Sequence, residues 1–303
     1  MKEKRLIVNA DDFGMSAGIT NAILIARRHG FLTSASLMAN MPGAGYALEQ
    51  ARRIPGFGVG VHLNICEGQP MLPRSHVKSL VDANGNFHAP PVMIRKLWRW
   101  QVADSEIEAE FRAQISWMKQ KGFHPTHADS HHHMHLYPAA LRPFARAVRV
   151  EGIQCVRASR FEYCSKDRTG RAPYNHSFLR GLAVRAYRAV SQISLLAPFK
   201  SPQSRLAFIS DHKADCDAIR ERWAGAFGCL SPGTYELACH PGLFDPAFSP
   251  TDRIHAQREA ELYCLTDHAL REHLQRNEVR LISYHDLAHR ALMDGTIANA
   301  VAS

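Results

Sequence analysis

No stretch of this 303-residue chain approaches the run of about 18 apolar residues that a membrane-spanning helix needs, so no transmembrane segment is expected. Its seven cysteines (Cys66, Cys155, Cys164, Cys216, Cys229, Cys239 and Cys264) are odd in number and widely spaced, with no C-x-x-C pair. That excludes a zinc knuckle and argues against a disulfide framework; reduced thiols and a cytoplasmic location are expected. The start, Met1-Lys2-Glu3-Lys4-Arg5, is basic, but Asp11 and Asp12 interrupt the apolar run behind it before a signal-peptide core could form. Internal repeats, low-complexity segments, a glycine-rich phosphate loop, a helix-turn-helix pattern and an aromatic RNA-binding motif are all lacking, which removes the usual grounds for nucleic-acid binding. The formal charge of +9 is scattered and reads mainly as a solvated surface. Its densest part, 157–205, reads as an exposed insertion that leaves peripheral membrane contact open.

What the chain does have is an alternation of strand-like apolar runs with helix-period segments, the pattern of βα units on a parallel sheet. Arg5 to Asn9 reads as a buried strand. Ser16 suits the cap of a helix with Ile19, Ala22, Ile23 and Ala26 on one face and Gly30 at its end. Further strands are expected over Leu32–Met38, Gly58–Leu63, Pro125–Asp129, Ile153–Arg157, Thr234–Cys239 and Val279–Ser283. Helices are expected over Gly45–Arg53, from a capping box at Ser105 and Glu108 to about Lys121, over Ala214–Phe227, twice between Asp252 and Arg276, and from about Asp286. The proline-rich stretch Asn64–Asp104 reads as an excursion above the sheet, and 159–204 as an insertion. Trp98, Trp100 and Trp117 lie in or near that excursion, where packing is the ordinary role of such residues and a sugar-stacking platform the sharper one. The expected fold is α/β, one domain over 1–293 followed by a frayed tail over 294–303.

Five imidazoles and a carboxylate fall within Thr126-His127-Ala128-Asp129-Ser130-His131-His132-His133-Met134-His135, although the chain has only 18 histidines. This cluster follows one expected strand. Asp11 and Asp12 follow another, and His62 and His240 sit at the ends of two more. Parallel α/β folds build their sites where strand ends converge, so these four clusters point to one pocket. A catalytic divalent ion commonly takes three His or carboxylate ligands and keeps a position open; Asp12, His62 and His131 supply such a set, with Asp11 and His240 as proton-transfer groups. The chemistry indicated is hydrolysis of an acyl bond. Each residue also has an ordinary reading: Asp11 and Asp12 as a turn cap, His62 as a satisfied strand-end group, His240 as part of a turn before Pro241. His127, upstream within its strand, reads as structural, while His132, His133 and above all His135 are candidates for contacts to substrate or to the ligands.

Val8-Asn9-Ala10-Asp11-Asp12-Phe13-Gly14, Gly60-Val61-His62-Leu63, Asp129-Ser130-His131-His132-His133-Met134-His135 and Cys239-His240-Pro241-Gly242, in this order, resemble the YdjC-like carbohydrate deacetylase family, which includes chito-oligosaccharide and hopanoid-associated deacetylases. The resemblance implies a distorted (β/α) TIM-like barrel and removal of an N-acetyl group from an amino sugar. It implies Asp12, His62 and His131 as metal ligands, Asp11 as general base, and His240 as acid or substrate ligand. The implied cofactor is a divalent ion, zinc or magnesium. The implied partner is an N-acetylated amino sugar or glycolipid, and a homodimer is left open. Another barrel metal hydrolase, an amidohydrolase or phosphoesterase, and a non-catalytic nucleic-acid or metal binder are the alternatives.

Overall fold

The computed structural model describes residues 3–157, 161–162, 195–206, 215–246, 248, 252 and 254–289. Most of the insertion expected over 159–204, and the whole tail over 294–303, lie outside these residues. The strands are β1 (Lys4–Phe13), β2 (Ser34–Leu37), β3 (Gly58–Leu63), β4 (Ala128–Ser130), β5 (Phe161–Glu162), β6 (Ser204–Leu206), β7 (Gly233–Cys239) and β8 (Val279–Leu281). All pair in parallel, in the order β4-β3-β2-β1-β7-β6-β5, with the first half of β1 also holding β8. Isolated parallel bridges, Ala128 to Val156 and Cys155 to Lys200, carry the pairing from β4 round toward the β6 side. The result is the distorted (β/α) barrel expected, with the strand anticipated over 153–157 reduced to these bridges.

The helices are α1 (Ala17–His29), α2 (Ala44–Arg52), α3 (Pro90–Trp98), α4 (Asp104–Gln120), α5 (Pro138–Val150), α6 (Cys216–Gly228), α7 (His255–Leu265) and α8 (His268–Arg276). The Ser16 cap is present, its hydroxyl accepting from the Ile19 N–H, and Gly30 ends α1. The Ser105 capping box does not form. Helix α4 begins two residues too early for it, and its cap, Ala103, is held from outside by Ser79 Oγ, which accepts the Ala103 N–H at 3.0 Å. The final helix starts at 284, two residues before the expected point. The excursion after β3 is well structured, with a 3₁₀ turn at Arg74–His76, a Val81–Phe87 bridge and α3.

Side chains alternate across each strand, and this alternation divides the core in two. On β1, Leu6, Val8 and Ala10 join the main apolar core, whereas Ile7 faces a small cluster with Cys155, Ile282 and Tyr284. The Ile7 face continues upward through Asn9 to Asp11. Asn9 Nδ2 donates to Ser36 Oγ at 2.9 Å, Ser36 Oγ donates to Asp129 Oδ2 at 3.0 Å, and Ser36 meets His127 Nε2 at 3.0 Å. The buried His127 ring stacks on Tyr284 at 3.7 Å, and Gly60 makes room for it: a Cβ there would overlap the imidazole. The upper barrel interior is thus a packed polar network rather than an apolar plug, and the strand ends carrying Asp12, His62 and His131 lie above it.

Candidate active site

Consecutive residues of a flat strand point to opposite faces, so Asp11 and Asp12 can share a cleft only if β1 is irregular between them. It is. Pairing with β2 slips between Ala10 and Phe13, and Asp12 itself takes φ of 64°, in the left-handed region that aspartate tolerates better than most residues. Nearby Gly14 serves another need: its φ is 85°, and a Cβ there would lie 2.9 Å from the Ala44 Cα.

The bulge brings Asp12 against two imidazoles from other strand ends. Oδ1 of Asp12 lies 3.1 Å from His131 Nδ1 and 3.6 Å from His62 Nε2. One ligand atom from each of Asp12, His62 and His131 falls within 4.8 Å of the other two, and all three residues are buried. The far nitrogen of each ring is held by a carboxylate. His62 Nδ1 is 2.7 Å from Asp129 Oδ1, and His131 Nε2 is 3.0 Å from Glu67 Oε2. Such contacts fix the ring orientation and leave one nitrogen free to face an ion. Burial opposes a charge on His131, but Asp12 and Glu67 outweigh it and raise the imidazole to about 9.

The donor set passes a simple fit test for a divalent cation. Asp12 Oδ1 is buried and accepts no well-aligned hydrogen bond, although it faces both imidazoles. Its partner oxygen, Oδ2, accepts from Arg258 Nη2 at 2.7 Å, which leaves Oδ1 as the free ligand atom. One carboxylate oxygen and two imidazole nitrogens suit zinc and, less selectively, magnesium or manganese.

Asp11 is held differently. Arg157 Nη1 donates to Asp11 Oδ2 at 2.8 Å and Arg157 Nη2 to Oδ1 at 2.5 Å, a bidentate fork. The same buried guanidinium reaches Asp129 at 2.7 Å and Glu236 at 2.9 Å. Burial pushes the Asp11 carboxyl up, but the Arg157 charge outweighs it and leaves Asp11 below its ordinary value, ionised at neutral pH. His240 Nε2 lies 3.8 Å from Asp11 Oδ2, and the His240 side chain is 30% exposed. Helix α7 positions it: Glu261 Oε2 accepts the His240 N–H, and the Gly242 N–H donates to the Arg258 carbonyl at 3.1 Å.

Among the other histidines of the cluster, His132 is exposed and His133 half-buried, both at positive φ, and Arg205 Nη1 lies 2.8 Å from His133 Nε2. His135 is buried, 2.5 Å from Ser130 Oγ and stacked on Phe144 at 4.6 Å, so it supports the turn that carries His131. Burial holds His127 and His135 down to about 3. Their unfolded counterparts take up protons near 6.5, so stability is complete above that pH and declines as pH falls toward 3. Each ring contributes about 1.4 kcal/mol per pH unit in that window. Urea midpoints measured between pH 7 and 4 are expected to fall less steeply in His127→Gln than in the parent; equal slopes would show that His127 is not held neutral.

The family model for the YdjC-like protein matches residues 5–276. A carbohydrate deacetylase of Geobacillus stearothermophilus is 30% identical over 92% of this chain and 96% of its own length. The chain belongs to the YdjC-like family. A chitooligosaccharide deacetylase of Yersinia enterocolitica is also 30% identical, over 94% of this YdjC-like chain and 99% of its own. A solved protein of Enterococcus faecalis V583, with a suggested role in cellobiose-phosphate cleavage, superposes with a TM-score of 0.75 at 26% identity, covering 94% of this chain and 99% of that one.

Of the residues singled out in the YdjC-like sequence, Asp12, His62 and His131 converge, with Asp11 and His240 beside them, whereas His133 meets Arg205 and the buried His135 meets Ser130 and Phe144 rather than the ligand atoms. Sequence reasoning counted the Asp129 carboxylate in the histidine cluster but gave it no role, and it missed Glu67, Arg157, Arg258 and Glu261; Asp129 and Glu67 orient the two imidazoles. The sequence signal of Asp129 was its place two residues before His131 within the cluster; the structure sets it directly opposite His62 in the register.

Proposed function

We propose that this protein hydrolyses the N-acetyl group of an amino sugar, with a divalent ion, zinc or magnesium, held by Asp12, His62 and His131. The observation that supports it most directly is the orphaned Asp12 Oδ1 facing two carboxylate-oriented imidazoles, with an ionised Asp11 and a partly exposed His240 beside it. A bound ion of this kind supplies Lewis-acid polarisation of the amide carbonyl and a more acidic water. Asp11, kept ionised and oriented by Arg157, accepts a proton from the attacking water. His240, reachable from solvent, donates a proton to the departing nitrogen. The C–N bond breaks, the water oxygen ends on the acyl carbon, and acetate and a free amino sugar leave.

The names of the Geobacillus and Yersinia relatives support a carbohydrate substrate, the second of them a chito-oligosaccharide. Within that class, a short chitin-type oligosaccharide and an acetylglucosaminyl group on a lipid such as a glycosylated hopanoid both present the required amide. Acetate release should be measured from mono-, oligo- and lipid-linked N-acetylglucosamine with zinc or magnesium added. Release from at least one, abolished by a chelator and restored by metal, is the expected outcome. Phosphate release from esters with no acetate from any of them would overturn the reading.

A further inference from the structure

The excursion after β3 carries an unusual surface. Helix α3 is anchored by Met93 and Leu97, both buried, and packs on α5. Its other side and the turn that follows expose Arg95, Trp98, Arg99 and Trp100, with Lys96 half-buried alongside. Trp98 is 45% and Trp100 63% exposed, the latter the most exposed of the large apolar side chains among the described residues. No acidic residue occurs between Asp82 and Asp104. Among the described residues no ion pair engages Arg95, Lys96 or Arg99, whereas Arg146 on α5 is paired with Asp104 and Glu108.

The backbone here adds a second observation. The Trp100 N–H donates to the Leu97 carbonyl at 3.3 Å and the Gln101 N–H to the Lys96 carbonyl at 2.9 Å, the two bonds of a Schellman ending. Trp100 therefore occupies the position where glycine is the usual residue, with φ of 54°. A bulky residue in that region is strained, and an indole projecting into solvent recovers little packing for it.

The geometry points to α3 and its C-terminal turn as a docking element for an anionic lipid surface. Indoles settle at the polar–apolar boundary of a bilayer, and unpaired arginine and lysine beside them complement anionic headgroups. Placement ties this surface to the site: the Trp98 ring meets Tyr137 at 5.9 Å, and Tyr137 directly follows the turn that carries His131. A sugar platform would need the aromatic faces but not three unpaired cations around them.

The full-length protein should be tested by co-sedimentation with vesicles of phosphatidylglycerol and phosphatidylcholine against phosphatidylcholine alone. Binding only to the anionic vesicles, weakening with added salt, is expected. Each of Arg95→Gln, Lys96→Gln and Arg99→Gln should lower the partition coefficient about fivefold. Trp100→Gly should lower it about tenfold while raising the urea midpoint of unfolding, because glycine relieves the strained turn. A loss of binding through misfolding would instead lower that midpoint, and Trp98→Ser checks the same surface without touching the turn. Three results would overturn the proposal: no binding to anionic vesicles, binding unchanged in the tryptophan variants, or intact binding with a raised KM for a soluble oligosaccharide, which would make the indoles a sugar platform.

Discussion

An Asp11→Asn protein is expected to keep its bound metal and lose about 10²- to 10⁴-fold in kcat, the range typical of a missing general base. The substitution is nearly isosteric, and Arg157 retains Asp129 at 2.7 Å and Glu236 at 2.9 Å, so the buried guanidinium is not stranded. Asp11 lies outside the Asp12, His62 and His131 group; its own grouping with His62 and Asp129 is already occupied by the Arg157 guanidinium, so metal content should stay at the parent level. What disappears is an ionised oxygen able to take a proton. Steady-state kinetics on metal-verified protein check this, and full activity would remove Asp11 from the chemistry. Loss of metal together with activity would show instead that Asp11 serves the ion.

The opposite pattern is expected for His131→Ala, in which metal and turnover should vanish together. His131 is one of two imidazoles aimed at Asp12 Oδ1, and its removal also strands Glu67, whose carboxylate orients the ring. The loss in kcat should exceed that of Asp11→Asn, since the ion's entire contribution goes with its ligand. Metal analysis and acetate release on the same preparation separate the two variants. A His131→Ala protein that retained a full complement of metal and measurable turnover would remove His131 from the ligand set.

The βα rhythm was legible in the sequence because apolar periodicity is a local property: β3, β7 and α1 lie within a residue or two of where their patterns put them. The convergence of Asp12, His62 and His131 was legible for a different reason. His62, His131 and the Asp11-Asp12 pair sit at strand ends, and a parallel sheet gathers strand ends on one side whatever their separation in the chain. The supporting residues were hidden. Arg157 opens the densest basic stretch and reads locally as surface, yet it is buried among Asp11, Asp129 and Glu236, partners 146, 28 and 79 positions away in the chain. Its burial depends on three carboxylates meeting in the barrel, which no local pattern encodes. The same holds for Arg258, whose contact with Asp12 spans 246 positions. Trp100 was obscured by a base rate, since tryptophan usually packs; only the backbone shows it in a position suited to glycine.

Asp12, His62 and His131 are expected to bind one divalent ion together. Elemental analysis of the purified parent, Asp12→Ala, His62→Ala and His131→Ala after equilibration with zinc tests it most directly. About one ion per chain in the parent and a large deficit in all three variants, with folding verified by circular dichroism, is expected. A parent that takes up no ion, or folded variants that each keep the parental stoichiometry, would contradict it.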